Sequence, residues 1–500
     1  MASASEHVPL GYRILAWFLR LVTRVFFRQV EIAGIENIPQ TGPVLFAGNH
    51  PNSLIDPILI ITTCGRKVHF AAKDTLFKGR LMRIVLRGLG AVPLARKVEH
   101  DGKPGSRAAE ATIRDPSEMA RLNDVAFASM FAVLEAGGTI GIFPEGLSHD
   151  ESQLAKLKTG AARLALGAAA RSHGSIAIIP CGLTFIHPKR FRSRVLVQYG
   201  TPIVIRADSA PDAVRAVTGE IETGLKRLTI NAPDWDTVRA LDTVRRLYQP
   251  QEISIEDRVE LARRFNTYYA AVAADPNVAD IMARVRRYQE KLDEVGLTDR
   301  ELARDLSKLE IVARMLRHVV LIAWWLPLTV PAAPLHVPPL VFARFASPRL
   351  TPRKDVVATT KMMIGMLLVV ASYAAAIGYV AWTGGLWWGA FAAVVLPLSG
   401  WATLRVLDRA RLVRRAFGVL ARRLRFRREV RGLRAERAVL AERVVRVVNQ
   451  VKPAQLAMLF PVDHPDRVVE SSEARHDADL DAALDQRDAK QRDDDAEPPE

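Results

Sequence analysis

Residues 44–57 read VLFAGNHPNSLIDP. The first five residues are apolar or small and predict a short buried strand, and His50 follows two residues after Gly48. The closing Asp–Pro pair is typical of a helix start. A strand, a polar loop and a helix in this order predict one unit of an α/β fold, with the loop at a sheet edge where functional residues gather.

The same alternation continues from about Val30 to Ile205. Further apolar runs predict strands at Val68–Ala71, Ala91–Pro93, Thr139–Phe143, Ile176–Leu183 and Arg194–Tyr199. Helical patterns lie between the strands, at Pro57–Cys64, Leu76–Leu89, Ser117–Glu135 and Lys158–Arg171. We therefore expect an α/β catalytic domain over residues 30–206, with a largely parallel or mixed sheet flanked by helices.

An amphipathic helix is predicted before this domain, within residues 1–29. Apolar residues alternate there with arginines, which favours a helix lying in the headgroup layer of a membrane. A helix packed on the protein core has the same pattern and stays open as the alternative. After the domain, residues 207–317 are charged and poor in strand patterns, and they predict a helical extension.

A membrane region is predicted over residues 318–405. The stretches 362–382 and 386–404 are long enough to cross a bilayer and are joined by a short turn flanked by tryptophans. Residues 319–343 contain five prolines and favour a re-entrant segment, with a third crossing as the alternative. The basic loop at 344–361 is expected in the cytoplasm, with the catalytic domain facing the cytoplasm from a cytoplasmic or inner membrane.

Charge is unevenly distributed over the chain, whose formal net charge is +16. Residues 406–461 predict an Arg-rich helix suited to anionic lipid, and residues 462–500 predict a disordered acidic tail. The basic excess indicates an anionic partner: nucleic acid, lipid headgroups or a phosphorylated substrate. Nucleic acid is disfavoured because the basic run directly follows a membrane hairpin and has few interleaved aromatic residues.

The two cysteines, Cys64 and Cys181, support neither a disulfide framework nor a zinc site. They are far apart in sequence and lie in apolar surroundings. We expect a reducing compartment and no metal. Nothing near Cys181 in the sequence lowers its pKa, so it is a poor candidate nucleophile.

His50 is the first candidate catalytic residue, because a histidine at a strand end can take a proton from a hydroxyl. Asp56 could hold its tautomer, or could only cap the following helix. A second motif, FPEGLSHD at Phe143–Asp150, follows another apolar strand. There Gly146 permits close approach of a ligand, Lys158 adds positive charge before a helix, and Glu145 either holds a hydroxyl or anchors the loop.

Two further blocks complete the pattern. Arg96 follows a short strand and has a planar guanidinium suited to phosphate. Pro180 lies in a buried strand. These four blocks, in this order, resemble the glycerolipid acyltransferase family, which includes glycerol-3-phosphate and 1-acylglycerol-3-phosphate acyltransferases. They are most similar to the fungal-type glycerol-3-phosphate/dihydroxyacetone-phosphate branch, whose members also carry a C-terminal membrane portion.

The resemblance implies roles for individual residues. His50 would be the general base and Asp56 its orienting carboxylate. Arg96, Glu145 and Gly146 would bind the acceptor phosphate and glycerol, Lys158 and Ser148 are further substrate-binding candidates, and Pro180 would shape the acyl site. Five residues separate His50 from Asp56, whereas the common family pattern has four.

We therefore expect a membrane-bound O-acyltransferase acting on glycerol 3-phosphate or dihydroxyacetone phosphate. The acyl donor would be acyl-CoA or acyl-carrier protein, and no cofactor is expected. A 1-acylglycerol-3-phosphate acyltransferase is the alternative within the family. A non-catalytic membrane adaptor is the alternative from another class.

Overall fold

The computed structural model describes most of the first 451 residues. The described residues are 8–94, 116–149, 151, 153–185, 187–208, 210–229, 235–249, 261, 264–265, 268–269, 271–303, 308–351 and 353–451. Arg96 and the predicted acidic tail lie outside them, so the predictions about both remain untested.

One mixed sheet of eight strands is formed by the described residues. The strands are β1 (Phe27–Ala33), β2 (Val44–Gly48), β3 (Val68–Lys73), β4 (Val92–Leu94), β5 (Thr139–Ile142), β6 (Ser175–Phe185), β7 (Ser193–Tyr199) and β8 (Ile203–Arg206). Their order is β1-β7-β6-β2-β5-β3-β4, and β8 pairs with β6. Strands β6, β2, β5, β3 and β4 are parallel to one another, whereas β7 and β8 are antiparallel to β6. This confirms the predicted fold class.

Helices cover both faces of the sheet. They are α1 (Leu10–Phe26), α2 (Ile55–Thr63), α3 (Arg80–Gly88), α4 (Pro116–Glu135), α5 (Gly160–Ser172) and α6 (Ala213–Leu228). Strand β2 shows the division, since successive side chains of a strand point to opposite faces. Val44 and Phe46 pack with α1 and α2, whereas Leu45 and Ala47 pack with α4, α5 and α6.

Helix α1 has two apolar faces. Its inner face is buried against the sheet, and the hydroxyl of Tyr12 accepts a hydrogen bond from the backbone N–H of Val68 at 3.0 Å. Its outer face exposes large apolar side chains at Leu10, Ile14, Trp17, Leu21 and Val25. The helix is therefore packed on the core, as one alternative held, and also presents a separate apolar stripe to its surroundings.

The C-terminal part of the described chain is helical. Its helices are α7 (Trp235–Tyr248), α8 (Pro276–Val295), α9 (Asp299–Ala303), α10 (Lys308–Thr329), α11 (Ala333–Leu350), α12 (Val357–Gly384), α13 (Leu386–Arg425) and α14 (Arg427–Val451). The chain divides into two compact units, residues 1–231 with 334–393, and residues 232–333 with 394–500. Helix α6, which the sequence assigns to the helical extension, packs against β6 within the first unit.

The second unit has its own apolar core, in which α14 packs with α7 and α8. Leu433, Leu440 and Val444 of α14 are buried there. This differs from the expectation that one continuous basic helix lies with its apolar side on lipid. The helix is interrupted at Phe426, and the apolar face of α14 is covered by protein.

Three of the described helices are long and apolar enough to cross a membrane: Leu309–Thr329, Val357–Gly384 and Leu386–Arg425. The last two contain the predicted crossings at 362–382 and 386–404. The predicted re-entrant stretch contains the end of α10, a 3₁₀ turn at Val330–Ala332 and the start of α11. Whether this stretch crosses the membrane stays a prediction.

Candidate active site

His50 and Asp56 form a direct pair at the end of β2. The Nδ1 atom of His50 lies 2.8 Å from Oδ2 of Asp56. The same oxygen accepts a hydrogen bond from the backbone N–H of Asn52 at 2.7 Å. Since Asp56 engages Nδ1, Nε2 is the ring nitrogen that would exchange a proton with a substrate.

The carboxyl of Asp56 is fully buried. Burial raises the pKa of Asp56 well above its usual value, the Asn52 amide opposes this, and the nearby Glu145 and Asp355 carboxylates add to it. Among the described residues, Oδ1 of Asp56 has no hydrogen-bond partner. The buried carboxyl is thus directed at Nδ1 of His50 and fixes the position of the ring.

The longer spacing between His50 and Asp56 is accommodated by the backbone. Ser53 adopts a φ of +53°, in the left-handed region, and α2 then begins at Ile55. Asp56 therefore lies inside the first turn of α2, where its carboxylate faces back toward His50. The residue at the N-cap is Leu54, and Asp56 does not cap the helix. The capping alternative is wrong for this residue.

The ring of His50 stacks on Phe143, the residue that follows β5. The two ring centroids are 4.1 Å apart and the planes are inclined by 8°. Phe70 stacks behind Phe143 in turn. Gly48 makes room for this arrangement, because a Cβ at that position would lie 3.0 Å from the Phe143 ring. The orientation of the imidazole is thus fixed both by its carboxylate and by an aromatic surface.

Glu145 joins the loop after β2, which carries His50, to the loop after β5. It is 2% exposed, and its Oε1 accepts a hydrogen bond from the backbone N–H of His50 at 2.9 Å. Its Oε2 accepts a hydrogen bond from the backbone N–H of Ala155 at 2.8 Å and a second from Nε2 of His149. This arrangement favours the loop-anchor alternative for Glu145. A contact between Glu145 and the acceptor stays a prediction.

His149 is a site residue that sequence reasoning did not assign. The hydrogen bond to Glu145 raises the pKa of His149, burial opposes this, and the charge of Glu145 adds to it. Its Nδ1 accepts a hydrogen bond from the backbone N–H of Glu151 at 3.3 Å. The spacing of four residues between Glu145 and His149 is the sequence feature that could have indicated the pair.

Gly146 and Lys158, two of the predicted substrate-binding residues, lie against each other. Gly146 has a φ of +76°, and a Cβ on it would lie 2.7 Å from Cδ, Cε and Nζ of Lys158. The backbone N–H of Lys158 donates to the carbonyl of Pro144 at 2.7 Å, which holds the loop against the start of α5. The exposed ammonium group thus lies over the glycine near a helix N-terminus, an arrangement that suits a phosphate.

The remaining predicted residues lie in different places. The hydroxyl of Ser148 accepts a hydrogen bond from the backbone N–H of Ser53 at 3.0 Å, so it bridges the two loops. Pro180 packs against Gly200 and Gly224, on the α6 face of the sheet and opposite the face that carries His50. Its predicted part in the acyl site therefore gains no direct contact with the catalytic pair and stays a prediction.

Neither thiol is suited to nucleophilic catalysis. Cys64 and Cys181 are buried and unpaired with each other. Burial raises the pKa of Cys64 to about 11 and that of Cys181 well above its ordinary value. Among the described residues, no group of three His, Cys, Asp or Glu side chains is arranged to hold a metal ion.

Two family models match this chain. Residues 29–184 match the model described as Acyltransferase, and residues 240–456 match the model described as Glycerol-3-phosphate acyltransferase 2 C-terminal domain. The chain therefore carries an acyltransferase domain, followed by a region similar to the C-terminal domain of glycerol-3-phosphate acyltransferase 2. The first match contains His50, Asp56, Glu145 and Pro180, and the second extends over the helical C-terminal part.

Individual relatives agree with this assignment. Glycerol-3-phosphate O-acyltransferase 2 of Saccharomyces cerevisiae is 25% identical over 72% of this chain and 64% of its own length. Glycerol-3-phosphate O-acyltransferase 1 of the same yeast is 27% identical over 58% of this chain and 49% of its own length. The chain thus spans about half to two thirds of these relatives.

Among solved structures, a 1-acyl-sn-glycerophosphate acyltransferase from Thermotoga maritima is similar to part of the chain. It covers 43% of this chain and 79% of its own, with 21% sequence identity and a TM-score of 0.32.

Proposed function

We propose that this protein is a membrane-bound enzyme that transfers a fatty acyl group from a thioester to a hydroxyl of glycerol 3-phosphate or dihydroxyacetone phosphate. The observation that carries the proposal is the contact between Nδ1 of His50 and the buried carboxylate of Asp56 at the end of β2. The family assignment supports the reaction class, and the names of the yeast relatives support the acceptor.

The geometry supports a direct transfer. Nε2 of His50 would accept the hydroxyl proton while the acceptor oxygen attacks the thioester carbonyl, and Asp56 would stabilise the imidazolium. A carbon–oxygen bond forms and the carbon–sulfur bond breaks. The imidazolium then returns the proton to the leaving thiolate. No covalent intermediate with the protein is needed, which agrees with the high pKa of both thiols.

The acceptor phosphate would be held by positive charge near the pair. Lys158, which lies over Gly146 at the start of α5, is the described residue suited to this role. Arg96 follows β4 by two residues and is proposed to complete the phosphate site. The donor would be acyl-CoA or acyl-carrier protein, with no cofactor. A 1-acylglycerol-3-phosphate acceptor presents the same hydroxyl and phosphate and is the second candidate.

Three features support attachment to a membrane. Helices α12 and α13 each contain a stretch long and apolar enough to cross it. The outer stripe of α1, with Trp17 61% exposed, would lie in the headgroup layer beside them. The basic loop before α12 favours a cytoplasmic position for that loop and for the catalytic domain.

The reaction is tested with protein purified in detergent and given each radiolabelled acceptor in turn: glycerol 3-phosphate, dihydroxyacetone phosphate and 1-acylglycerol 3-phosphate. Acyl-CoA and acyl-carrier protein serve as donors in parallel. We expect the highest kcat/KM with glycerol 3-phosphate. A preference for the 1-acyl derivative would select the second candidate, and a folded protein inactive with all of these acceptors would favour a non-catalytic adaptor.

Topology is tested by cysteine labelling, since the two natural thiols are buried. Lys354→Cys in the basic loop and Thr383→Cys in the last turn of α12 are each exposed to a membrane-impermeant maleimide. In intact cells we expect labelling of Thr383→Cys alone. Lys354→Cys should react only after permeabilisation, and the reverse pattern would refute the proposed orientation.

A further inference from the structure

The segment from Thr351 to Lys361 lies just before and within the first turns of α12. It brings the chain back to the loops that carry His50 and Glu145. Three of its side chains donate hydrogen bonds to backbone carbonyls of three different loops. These are Nη2 of Arg353 to Ser148 at 2.8 Å, Oγ1 of Thr359 to Asn52 at 3.2 Å, and Nζ of Lys361 to Lys189 at 2.6 Å. The loops follow β5, β2 and β6.

The contact made by Thr359 leads directly to the catalytic pair. Asn52, which is 1% exposed, accepts this hydrogen bond through its carbonyl. Its own N–H donates to the oxygen of Asp56 that lies against His50. Its side-chain amide donates to the carbonyl of Pro188 at 3.2 Å. Asn52 is therefore held from three directions, and one of them is helix α12.

Packing shields this hydrogen bond from solvent. Thr359 is 5% exposed, so water does not compete well for its hydrogen bond. Ala358 and Met362 on either side of it are buried in the same apolar cluster as Phe143, on which His50 stacks. The first turn of α12 thus contributes both apolar packing and a hydrogen bond to the catalytic side of the sheet.

Arg353 acts on the second loop in a similar way. Its guanidinium is oriented by Asp355, which accepts from Nε at 3.2 Å and from Nη2 at 2.8 Å. Nη2 also donates a hydrogen bond to the backbone carbonyl of Ser148. The side-chain hydroxyl of Ser148 in turn accepts a hydrogen bond from the backbone N–H of Ser53. The contact therefore fixes the point at which the loops after β2 and β5 meet.

We propose that Thr359 and Arg353 are positioning residues for acyl transfer, which hold the loops of His50 and Glu145 in their reactive arrangement through Asn52 and Ser148. This inference rests on the proposed function. It makes the start of a membrane helix part of the catalytic framework. Because both side chains donate to backbone carbonyls of these loops, we expect them to act on turnover and not on substrate affinity.

The first test compares three variants in the full-length protein. Thr359→Val keeps the shape and removes the hydroxyl, Thr359→Ser restores it, and Thr360→Val makes the same change at the neighbouring position, whose hydroxyl contacts Thr351 and no catalytic loop. We expect kcat to fall about tenfold in Thr359→Val with the acceptor KM unchanged, because small displacements of catalytic groups are costly. Thr359→Ser should recover most of it, and Thr360→Val should resemble the wild type.

The second test uses Arg353, whose side chain is half exposed, so we expect its replacement to leave folding intact. Arg353→Gln should lower kcat about fivefold, whereas Lys354→Gln, which removes the same charge one position later, should not. If Thr359→Val does not fold, the comparison of Arg353→Gln with Lys354→Gln still tests the inference. A wild-type kcat in Thr359→Val or Arg353→Gln, or an equal fall in its matched control, overturns the inference. A wild-type protein inactive on all acceptors would instead refute the proposed function.

Discussion

Two histidine–carboxylate pairs lie in adjacent loops of the catalytic domain, and they are built for different tasks. His50 places Nδ1 against Asp56, so that Nε2 is the atom that would meet a substrate. His149 places Nε2 against Glu145 and accepts a backbone N–H at Nδ1, so both of its nitrogens serve the loop. The carboxylates differ as well: Oδ1 of Asp56 has no partner among the described residues, whereas both oxygens of Glu145 accept hydrogen bonds.

The difference shows that proximity of an imidazole and a carboxylate does not by itself indicate a catalytic base. What matters is which ring nitrogen the carboxylate occupies and whether the carboxylate is satisfied elsewhere. In the first pair the buried carboxyl holds Nδ1, so that Nε2 would face a substrate. In the second pair the carboxylate is fully engaged, and the histidine completes a structural network.

The largest expected effect comes from His50→Ala. Removal of a general base should lower kcat/KM by about 10²–10⁴-fold, with the protein still folded. His149→Ala is the matched change in the other pair, and its loss should be far smaller. Steady-state kinetics on both variants check this. Equal losses of kcat/KM in the two variants would contradict the different roles assigned to the two pairs.

Asp56→Asn should have the next largest effect. The amide would present an N–H to Nδ1 of His50 and favour the wrong tautomer, so kcat should fall about 10²-fold. The same NH2 group would face the N–H of Asn52, which now donates to that carboxylate oxygen, so a modest fall in melting temperature should accompany the change. Kinetics and thermal unfolding are measured on the same preparation. A stability loss that accounts for the lost activity would argue for a purely structural Asp56.

Glu145→Gln tests the anchor. The amide can accept fewer of the hydrogen bonds now made to the carboxylate, so the free energy of unfolding should fall by about 1–3 kcal/mol. kcat should also fall, by about tenfold, which is less than in Asp56→Asn, because the two loops lose their common partner. Glu151→Gln is the control, since that side chain is exposed nearby. Chemical denaturation of both variants would show an equal loss if Glu145 were not an anchor.

The smallest expected effect is a pH dependence of stability that belongs to His149. Protonation of His149 gives up the bond that Nδ1 accepts from Glu151 but strengthens the bond to Glu145, and folding raises the pKa of His149 above its ordinary value of 6.5. The protonated ring therefore stabilises the folded state. This contribution is complete below pH 6.5 and is lost as the pH rises through the raised pKa. Wild type should therefore exceed His149→Gln by about 1 kcal/mol at low pH, and the gap should close in alkali. A gap independent of pH between 5 and 9 would contradict the pairing.

Local patterns were sufficient for much of the fold. The apolar runs at Val44–Gly48 and at β3, β5, β6 and β7 predict strands because buried strands need little more than uninterrupted apolar side chains. Strand β1 was missed since Phe27–Ala33 includes Arg28, Gln29 and Glu31 and continues the basic pattern of α1. It forms because β7 supplies its backbone partners, more than 160 residues later.

The site shows the same limit. His50 and Asp56 lie close in sequence, so the motif and the resemblance could pair them. The bond between Thr359 and Asn52 joins residues separated by 307 positions, and no local pattern indicates it. Likewise the role of Glu145 depended on which backbone N–H groups the folded loops would present, which sequence spacing does not encode.

The stack of His50 on Phe143 has a magnetic consequence. Protons held over the face of a benzene ring are shielded by its circulating electrons, so the carbon-bound imidazole protons of His50 should resonate upfield of the ordinary histidine range. The chain contains eleven histidines. The shifted resonances would distinguish His50 from the other histidines, so that its titration can be followed by NMR on selectively labelled protein without an added probe.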